Sequence, residues 1–398
     1  MASFYDDSRP ESIFWYNKIT LMKQAQYAIV GSGVAGLALA YRLAQKGARD
    51  ILLLEQEQHL GRHASGQNAG MIRQVVTHEA VGRLAQKGAA FLRALPPSWK
   101  VKYRRCGSLL LAKGKEKESL HRSALLAQKI GLSLEWYSAK EAMEKVPFLK
   151  GADFEEALFC PTDGVIDIQA LLLGYLKEAK SGNVQIWMGA RVRAIHAASE
   201  GGFQLETPKG KVTAHVLVNA SGAWAEPVAK MAGAFPIYFR SYRRHLLLSR
   251  PLRNIDPGWP FVWDMSHAIY FRPEEGGLLL SPCDQDLLRG GRCPVDRALA
   301  WRRLRERFSF FPSLPKISVR RAWGGLRTFS PDDNFCVGWD GKRKNFFWLA
   351  GLDGHGMTTS SAVGDFASDL LLGRKTDRYF ETSFSPKRFQ TGLIEEGD

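Results

Sequence analysis

The stretch Tyr27 to Gln56, YAIVGSGVAGLALAYRLAQKGARDILLLEQ, constrains this chain more than any other. An apolar run, Ala28 to Val30, reads as a short buried strand, and Gly31, Gly33 and Gly36 then fill the positions of a GxGxxG turn. Gly31 permits the tight turn and Gly33 lets the backbone approach a pyrophosphate. Gly36 lets the next helix pack on the strand, so that helix N-terminal amides face the phosphates. The helix runs through Leu37 to Gln45, and a second strand, Ile51 to Leu54, delivers Glu55 at its end. An acid about 20 residues past the glycines accepts adenosine ribose hydroxyls and repels a 2′-phosphate, which favours FAD or NAD over NADP. A ligand-free glycine-rich helix entry explains the glycines, but not the strand, the spacing and the acid together.

With 398 residues, 45% of them hydrophobic, the chain can bury large cores, and its length predicts two to three structural domains. It has no apolar run of the roughly 18 residues a membrane span needs. Its start carries charges and aromatics without the apolar core of a secretory signal, and reads as an arm packing Phe14, Trp15 and Tyr16 on the body. Cys106, Cys160, Cys283, Cys293 and Cys336 are odd in number and lack a CxxC pair. Reduced thiols in a cytoplasm are expected, with no metal and no disulfide framework. A formal charge of +15 favours anionic partners: a substrate, a lipid headgroup or a nucleic acid. Nothing matches a nucleic-acid-binding motif. Leu299 to Phe311 sets Trp301, Leu304, Phe308 and Phe311 on one helical face among arginines. Such a helix either lies on a membrane surface, giving a peripheral contact, or packs on its own domain; the second is expected because such stripes usually face cores.

Further along, strand-to-helix junctions built from small residues recur. Residues 61 to 73, GRHASGQNAGMIR, follow the second strand and suit a loop and helix start crossing over a cofactor. HVLVNASGAWA, 215 to 225, and NFFWLAGLDGHGMTTS, 345 to 360, each run from a buried strand through small residues into a helix start. Between them, 235 to 282 alternates in strand fashion and predicts an antiparallel sheet, and Trp323 to Asp333, WGGLRTFSPDD, reads as glycine-rich turns. Cofactor-compatible junctions at both ends of the chain imply a cofactor domain interrupted by a second one, which points to FAD rather than NAD.

Taken in order, GSGVAG with Glu55, ASGQNAGMIR, PTDGVID, VNASGAWA, WGGLRTFSPDD and GLDGHGMTTS make the chain resemble the D-amino-acid oxidase superfamily of FAD-dependent oxidoreductases, the group of glycine oxidase, sarcosine oxidase and D-amino-acid dehydrogenases. The resemblance covers about residues 26 to 373 and is nearest in look to the D-arginine dehydrogenase branch, through RRHLLL, IYFRP and WGGLR. It implies an α/β plus α+β fold, a doubly wound FAD-binding domain interleaved with a substrate domain built on an antiparallel sheet. The expected division is an arm over 1–26, a FAD-binding domain from 27–95, 151–234 and 323–380, a substrate domain from 96–150 and 235–322, and a tail over 381–398.

The resemblance also implies the site. Noncovalent FAD is expected on Gly31, Gly33, Val34, Ala35 and Gly36, with Glu55 and Gln56 at the adenosine end. The crossing loop contributes Arg62, His63, Ala64, Ser65, Asn68, Ala69, Gly70 and Met71, and the middle of the chain Val192, Ala220, Ser221, Gly222 and Trp224. Gly351, Gly354, His355, Gly356, Met357 and Thr358, with Arg327, complete it from the last junction, whose helix N-terminus would stabilise negative charge on reduced flavin. Arg327, Arg244 and Tyr270 match carboxylate contacts of the dehydrogenase branch, and Arg73 the carboxylate-binding arginine of sarcosine oxidase; His355 stands beside the cofactor. Departures exist. Met71 and Val76 replace a histidine and tyrosine of D-arginine dehydrogenase, and Ser108 the acid suited to a cationic side chain, so arginine is a poor substrate. Gly325 replaces the flavin-linked cysteine of sarcosine oxidase, and Thr358 its lysine. The expected reaction is hydride transfer from Cα of a small or anionic amino acid of D configuration, giving an imine that hydrolyses to a 2-oxo acid, with oxygen or a quinone as the acceptor. A 2-hydroxy acid dehydrogenase using His355 as base, and a flavin-bearing subunit of a larger complex, remain the alternatives.

Overall fold

Two large sheets divide most of the strands, and the chain passes between them repeatedly. The structure is a computed structural model that describes residues 23–198, 201–288 and 291–390, so the expected packing of Phe14, Trp15 and Tyr16 lies outside the described residues. In the first sheet, Gly210–Asn219, Lys23–Val30, Ile51–Leu54 and Gln185–Trp187 lie side by side and parallel, and Phe346–Ala350 joins Gly210–Asn219. Ile51–Leu54 and Phe346–Ala350 are buried on both faces, every residue 2% exposed or less, which is why they read as unbroken apolar runs rather than alternating ones. The register pairs Val30 with both Asn219 and Leu54, and Asn219 with Trp348. The four strand ends therefore open at one place, although residues 30, 54, 219 and 350 are far apart in sequence. Helices Val34–Gln45 and Gly356–Leu371 share one core on one face of this sheet; Ala225–Ala232 belongs to the core on the other.

Among the described residues the second sheet has nine strands. Its antiparallel heart is Val319–Phe329, Arg240–Ser249, Gly277–Ser281, Ile269–Glu274 and Phe261–Asp264, continued by Ser108–Ala112 and Glu156–Cys160. Helix Arg297–Phe308 covers it. Leu304 and Phe311 are buried with Leu247, Val262 and Phe271, and Trp301 and Phe308 are partly buried there, so the apolar stripe packs on its own sheet. Among the described residues no helix is long and apolar enough to cross a membrane, and all five cysteines are free thiols.

Two local expectations are corrected. Trp323 to Phe329 is no turn: it is the second half of an 11-residue strand, with Gly325 opposite Arg244 and Gly324 opposite His245. The glycines serve a close approach instead, since a Cβ on Gly325 would meet the Gln67 carbonyl oxygen at 2.5 Å. Glu156–Cys160 and Val319–Phe329 pair within the second sheet. Residues 61 to 73 hold turns and the short strand Met71–Ile72 rather than a helix start; Asn68 closes the loop by donating to Ser65 O at 2.7 Å and accepting from Gly70 N at 2.8 Å.

Candidate active site

The gathered strand ends form one wall of a cavity of about 840 Å³, toward the upper end of the roughly 300–1,000 Å³ of small-molecule sites. Its first end is the glycine turn. Gly31 takes φ +107°, and a Cβ there would meet Ala220 O at 2.5 Å, so two of the junctions touch backbone to backbone. Gly36 stands behind the wall, where a Cβ would meet Gly31 O at 2.0 Å. Glu55 reaches back into the turn: one carboxylate oxygen accepts from Ser32 N at 2.8 Å and Ser32 Oγ at 2.6 Å, the other from Glu57 N at 2.9 Å. The N-terminus of helix Val34–Gln45 faces the cavity, its Val34 amide donating to Ser65 Oγ at 2.9 Å. Gln56, Arg62, His63, Ala64, Val192, Ser221, Gly222 and Trp224 line this part with Ala35 and Gly33, and the His63 and Trp224 rings lie 4.5 Å apart.

The other end is built by the second sheet and the last junction. Asn68, Ala69, Met71, Gly351, Gly354, Gly356 and Met357 line it together with Arg244, Tyr270 and Arg327. The antiparallel register sets Arg244 against Gly325, and Arg327 two residues further along the same face. Gly354 lets the guanidinium of Arg327 pass closely, since a Cβ there would meet its Cζ at 3.1 Å. Helix Gly356–Leu371 points its N-terminus at the same end. Gly70, Arg73, His355 and Thr358 stand just behind the lining: Arg73 N donates to Thr358 Oγ1 at 3.1 Å, its guanidinium stacks 4.2 Å over Trp263, and its Nη2 lies 3.4 Å from His355 Nε2.

Positive charge dominates this end. Arg244 is 5% exposed; its Nε donates to the Asp284 carbonyl oxygen at 2.8 Å, and among the described residues its buried Nη1 has no partner. Among the described residues, no carboxylate lies within 4.0 Å of the guanidinium nitrogens of Arg73, Arg244 or Arg327. Burial, then the neighbouring Arg327, brings Arg73 down to about 10 and also lowers Arg244. His355 is held well below its ordinary value by burial, then by Arg73 and Arg327, and is therefore neutral. Burial raises the Tyr270 phenol, keeping it a proton donor.

Asp353, which the sequence reading passed over, completes the group. It takes φ +48°, its side chain is 19% exposed, and its Oδ1 has no partner. Its only signal in sequence is an acid amid the glycines of GLDGHG.

The fit to a dinucleotide cofactor rests on this geometry: helix N-termini at two points, a glycine whose Cβ space is taken by backbone, and an acid at the end of the second strand. A family model described as "FAD dependent oxidoreductase" (DAO) matches residues 26–370. The chain is 26% identical over 366 residues to 4-methylaminobutanoate oxidase (formaldehyde-forming) of Paenarthrobacter nicotinovorans, covering 86% of this chain and 43% of that one. It is 26% identical over 381 residues to the mitochondrial pyruvate dehydrogenase phosphatase regulatory subunit of Mus musculus, covering 89% and 42%. The chain thus spans less than half the length of these relatives. Among solved structures, L-proline dehydrogenase from P. horikoshii superposes with a TM-score of 0.83 at 22% identity, over 94% of this chain and 99% of that one.

Proposed function

The chain belongs to the DAO family of FAD-dependent oxidoreductases, and on that premise we propose that it oxidises the carbon–nitrogen bond of a small or anionic amino acid, of D configuration as the sequence resemblance implies. The observation that carries the reading is the set of guanidiniums without carboxylate partners, Arg244 and Arg327 in the cavity and Arg73 behind it. A buried arginine left unpaired is costly, and a substrate carboxylate taken bidentately removes that cost. Gly31, Gly33, Val34 and Ala35 would hold the pyrophosphate, Glu55 the adenosine ribose, and the 351–357 turn the far end of FAD. Bound there, FAD supplies the two-electron acceptor.

The chain's own groups then bind and orient. Arg244 and Arg327 fix the carboxylate, Tyr270 adds a neutral donor, and Trp263 holds Arg73 flat, so that binding energy sets the position of the reacting carbon. The FAD is held noncovalently on this reading. The acceptor of the reduced enzyme is oxygen or a quinone.

A relative that is a regulatory subunit favours a second reading, a flavin-bearing subunit inactive alone. The test is anaerobic mixing of the yellow holoprotein with D- and L-amino acids, their N-methyl forms and 2-hydroxy acids while the flavin absorbance is followed. Bleaching by amino acids supports the proposal, and the faster enantiomer assigns the hand. Bleaching by hydroxy acids alone overturns it, and bleaching by none leaves the subunit reading. Admitting air or a soluble quinone to the bleached protein then separates the two acceptors.

A further inference from the structure

A cavity end dressed with arginines needs only anions, yet it also carries an acid. Asp353 lines the same wall as Arg244 and Arg327, but none of the arginine nitrogens comes within 4.0 Å of its carboxylate. It is therefore not the counter-ion of an ion pair. Among the described residues, the one titratable side chain within that distance is the neutral His355, whose Nε2 is 3.6 Å from Oδ2. The residue also holds a left-handed backbone, φ +48°, where most side chains are strained, and a main-chain bond from Asp353 N to Thr328 O at 3.1 Å fixes it beside Arg327.

We propose that Asp353 is the acceptor for the substrate's amine nitrogen, so that the cavity recognises a zwitterion: carboxylate on Arg244 and Arg327, ammonium on Asp353. This rests on the amine-oxidation reading above and gives it the proton acceptor that the sequence did not reveal. An amino acid arrives as an ammonium, whose nitrogen has no lone pair to form a C=N bond. The ammonium proton passes to the Asp353 carboxylate, and the nitrogen keeps the electron pair that becomes the second bond to carbon; the Cα hydrogen leaves with both electrons of its bond as hydride, which FAD held there would accept, and the product is the iminium. Burial raises the Asp353 carboxyl, against the pull of Arg327, Arg73 and Arg244, which suits it to take a proton. A hydroxy acid offers no such cation, so the same residue selects amine over alcohol.

The test is binding to holoprotein carrying Asp353→Asn, chosen because asparagine tolerates the left-handed backbone. Titrations of flavin absorbance and of heat compare the amino acid that bleaches the wild type fastest with its deamino carboxylate, for instance alanine with propionate, under anaerobic conditions. The expected result is crossed: the amino acid binds roughly 10-fold or more weakly, while the carboxylate, relieved of a nearby negative charge, binds as well or better. If both tighten together, Asp353 only tempers the arginines, and if neither changes it does not face the ligand; either result overturns the inference while leaving the amine-oxidation reading intact. Loss of FAD from the variant would also overturn it, since Asp353 would then serve the cofactor. Failure of wild-type protein to bleach with any amine removes the underlying reading itself.

Discussion

Arg244 Nε donates to the main-chain carbonyl oxygen of Asp284 at 2.8 Å, which holds one edge of the guanidinium while the buried Nη1 is left without a partner. Asp284 is itself pinned. Its carboxylate accepts from His245 N at 2.9 Å and lies 2.5 Å from His245 Nδ1, while His245 Nε2 accepts from Asp296 N at 3.0 Å, which places the ring proton on Nδ1. Arg244 is thus supported by a relay of Asp284 and His245, both buried and neither lining the cavity.

Arg244→Lys keeps the charge but loses both the bond to Asp284 and the planar fork. Michaelis constants for amino acids should rise roughly 10- to 100-fold, the worth of one or two charge-assisted bonds, with the maximal rate changed much less. Steady-state kinetics with the best substrate decide it; an unchanged constant removes Arg244 from the carboxylate site.

Gly31→Ala places a Cβ 2.5 Å from Ala220 O on a backbone at φ +107°. Both the steric clash and the backbone strain act against folding, and the junction it deforms is the one proposed to hold the pyrophosphate. The variant should purify with little flavin and a lowered melting temperature. Full yellow occupancy would show that this turn does not hold the cofactor.

Acid precipitation of wild-type protein should release all flavin to the supernatant, as noncovalent binding requires. Gly325→Cys should not convert it to a covalent flavoprotein. Its Cβ would lie 2.5 Å from Gln67 O, so the strand must shift before any sulfur could reach a ring. Flavin retained in the washed pellet of either protein contradicts this.

Asp163 is wholly buried, accepting from Gln74 N at 3.0 Å, Gln74 Nε2 at 2.9 Å and Ser108 Oγ at 2.7 Å, and burial pushes its carboxyl up to about 6. Because the folded value exceeds the ordinary 3.8, the native state holds the proton more tightly, and stability from this group falls as pH rises from about 4 to about 6, then stays low. Asp163→Asn, which keeps the acceptor for Gln74, should therefore melt above wild type at pH 8, with the difference shrinking below pH 6. Equal melting temperatures across that range would show that the folded carboxyl is not shifted.

The cofactor end of the site is legible in the sequence because its parts are local. Strand, glycine turn, helix, second strand and Glu55 span 30 residues, so spacing alone fixes which backbone groups can meet. The substrate end is not local. Arg73, Arg244, Arg327 and Asp353 lie on different segments, and the sequence could nominate the arginines only by likeness to relatives. What brings them together is an antiparallel register, Arg244 against Gly325, and a close approach at Gly354, where a Cβ would crowd Arg327 Cζ at 3.1 Å. The same contacts turned Trp323 to Phe329 from an apparent turn into a strand: paired glycines signal turns locally, but here the absent side chains make room for the Gln67 backbone and Cys293 Sγ. The sequence by itself determined that a dinucleotide is held and near which end of the chain. Only the tertiary structure decided what faces it, because charge balance in a cavity is a property of neighbours in space, and Asp353 acquires meaning only beside arginines it does not touch.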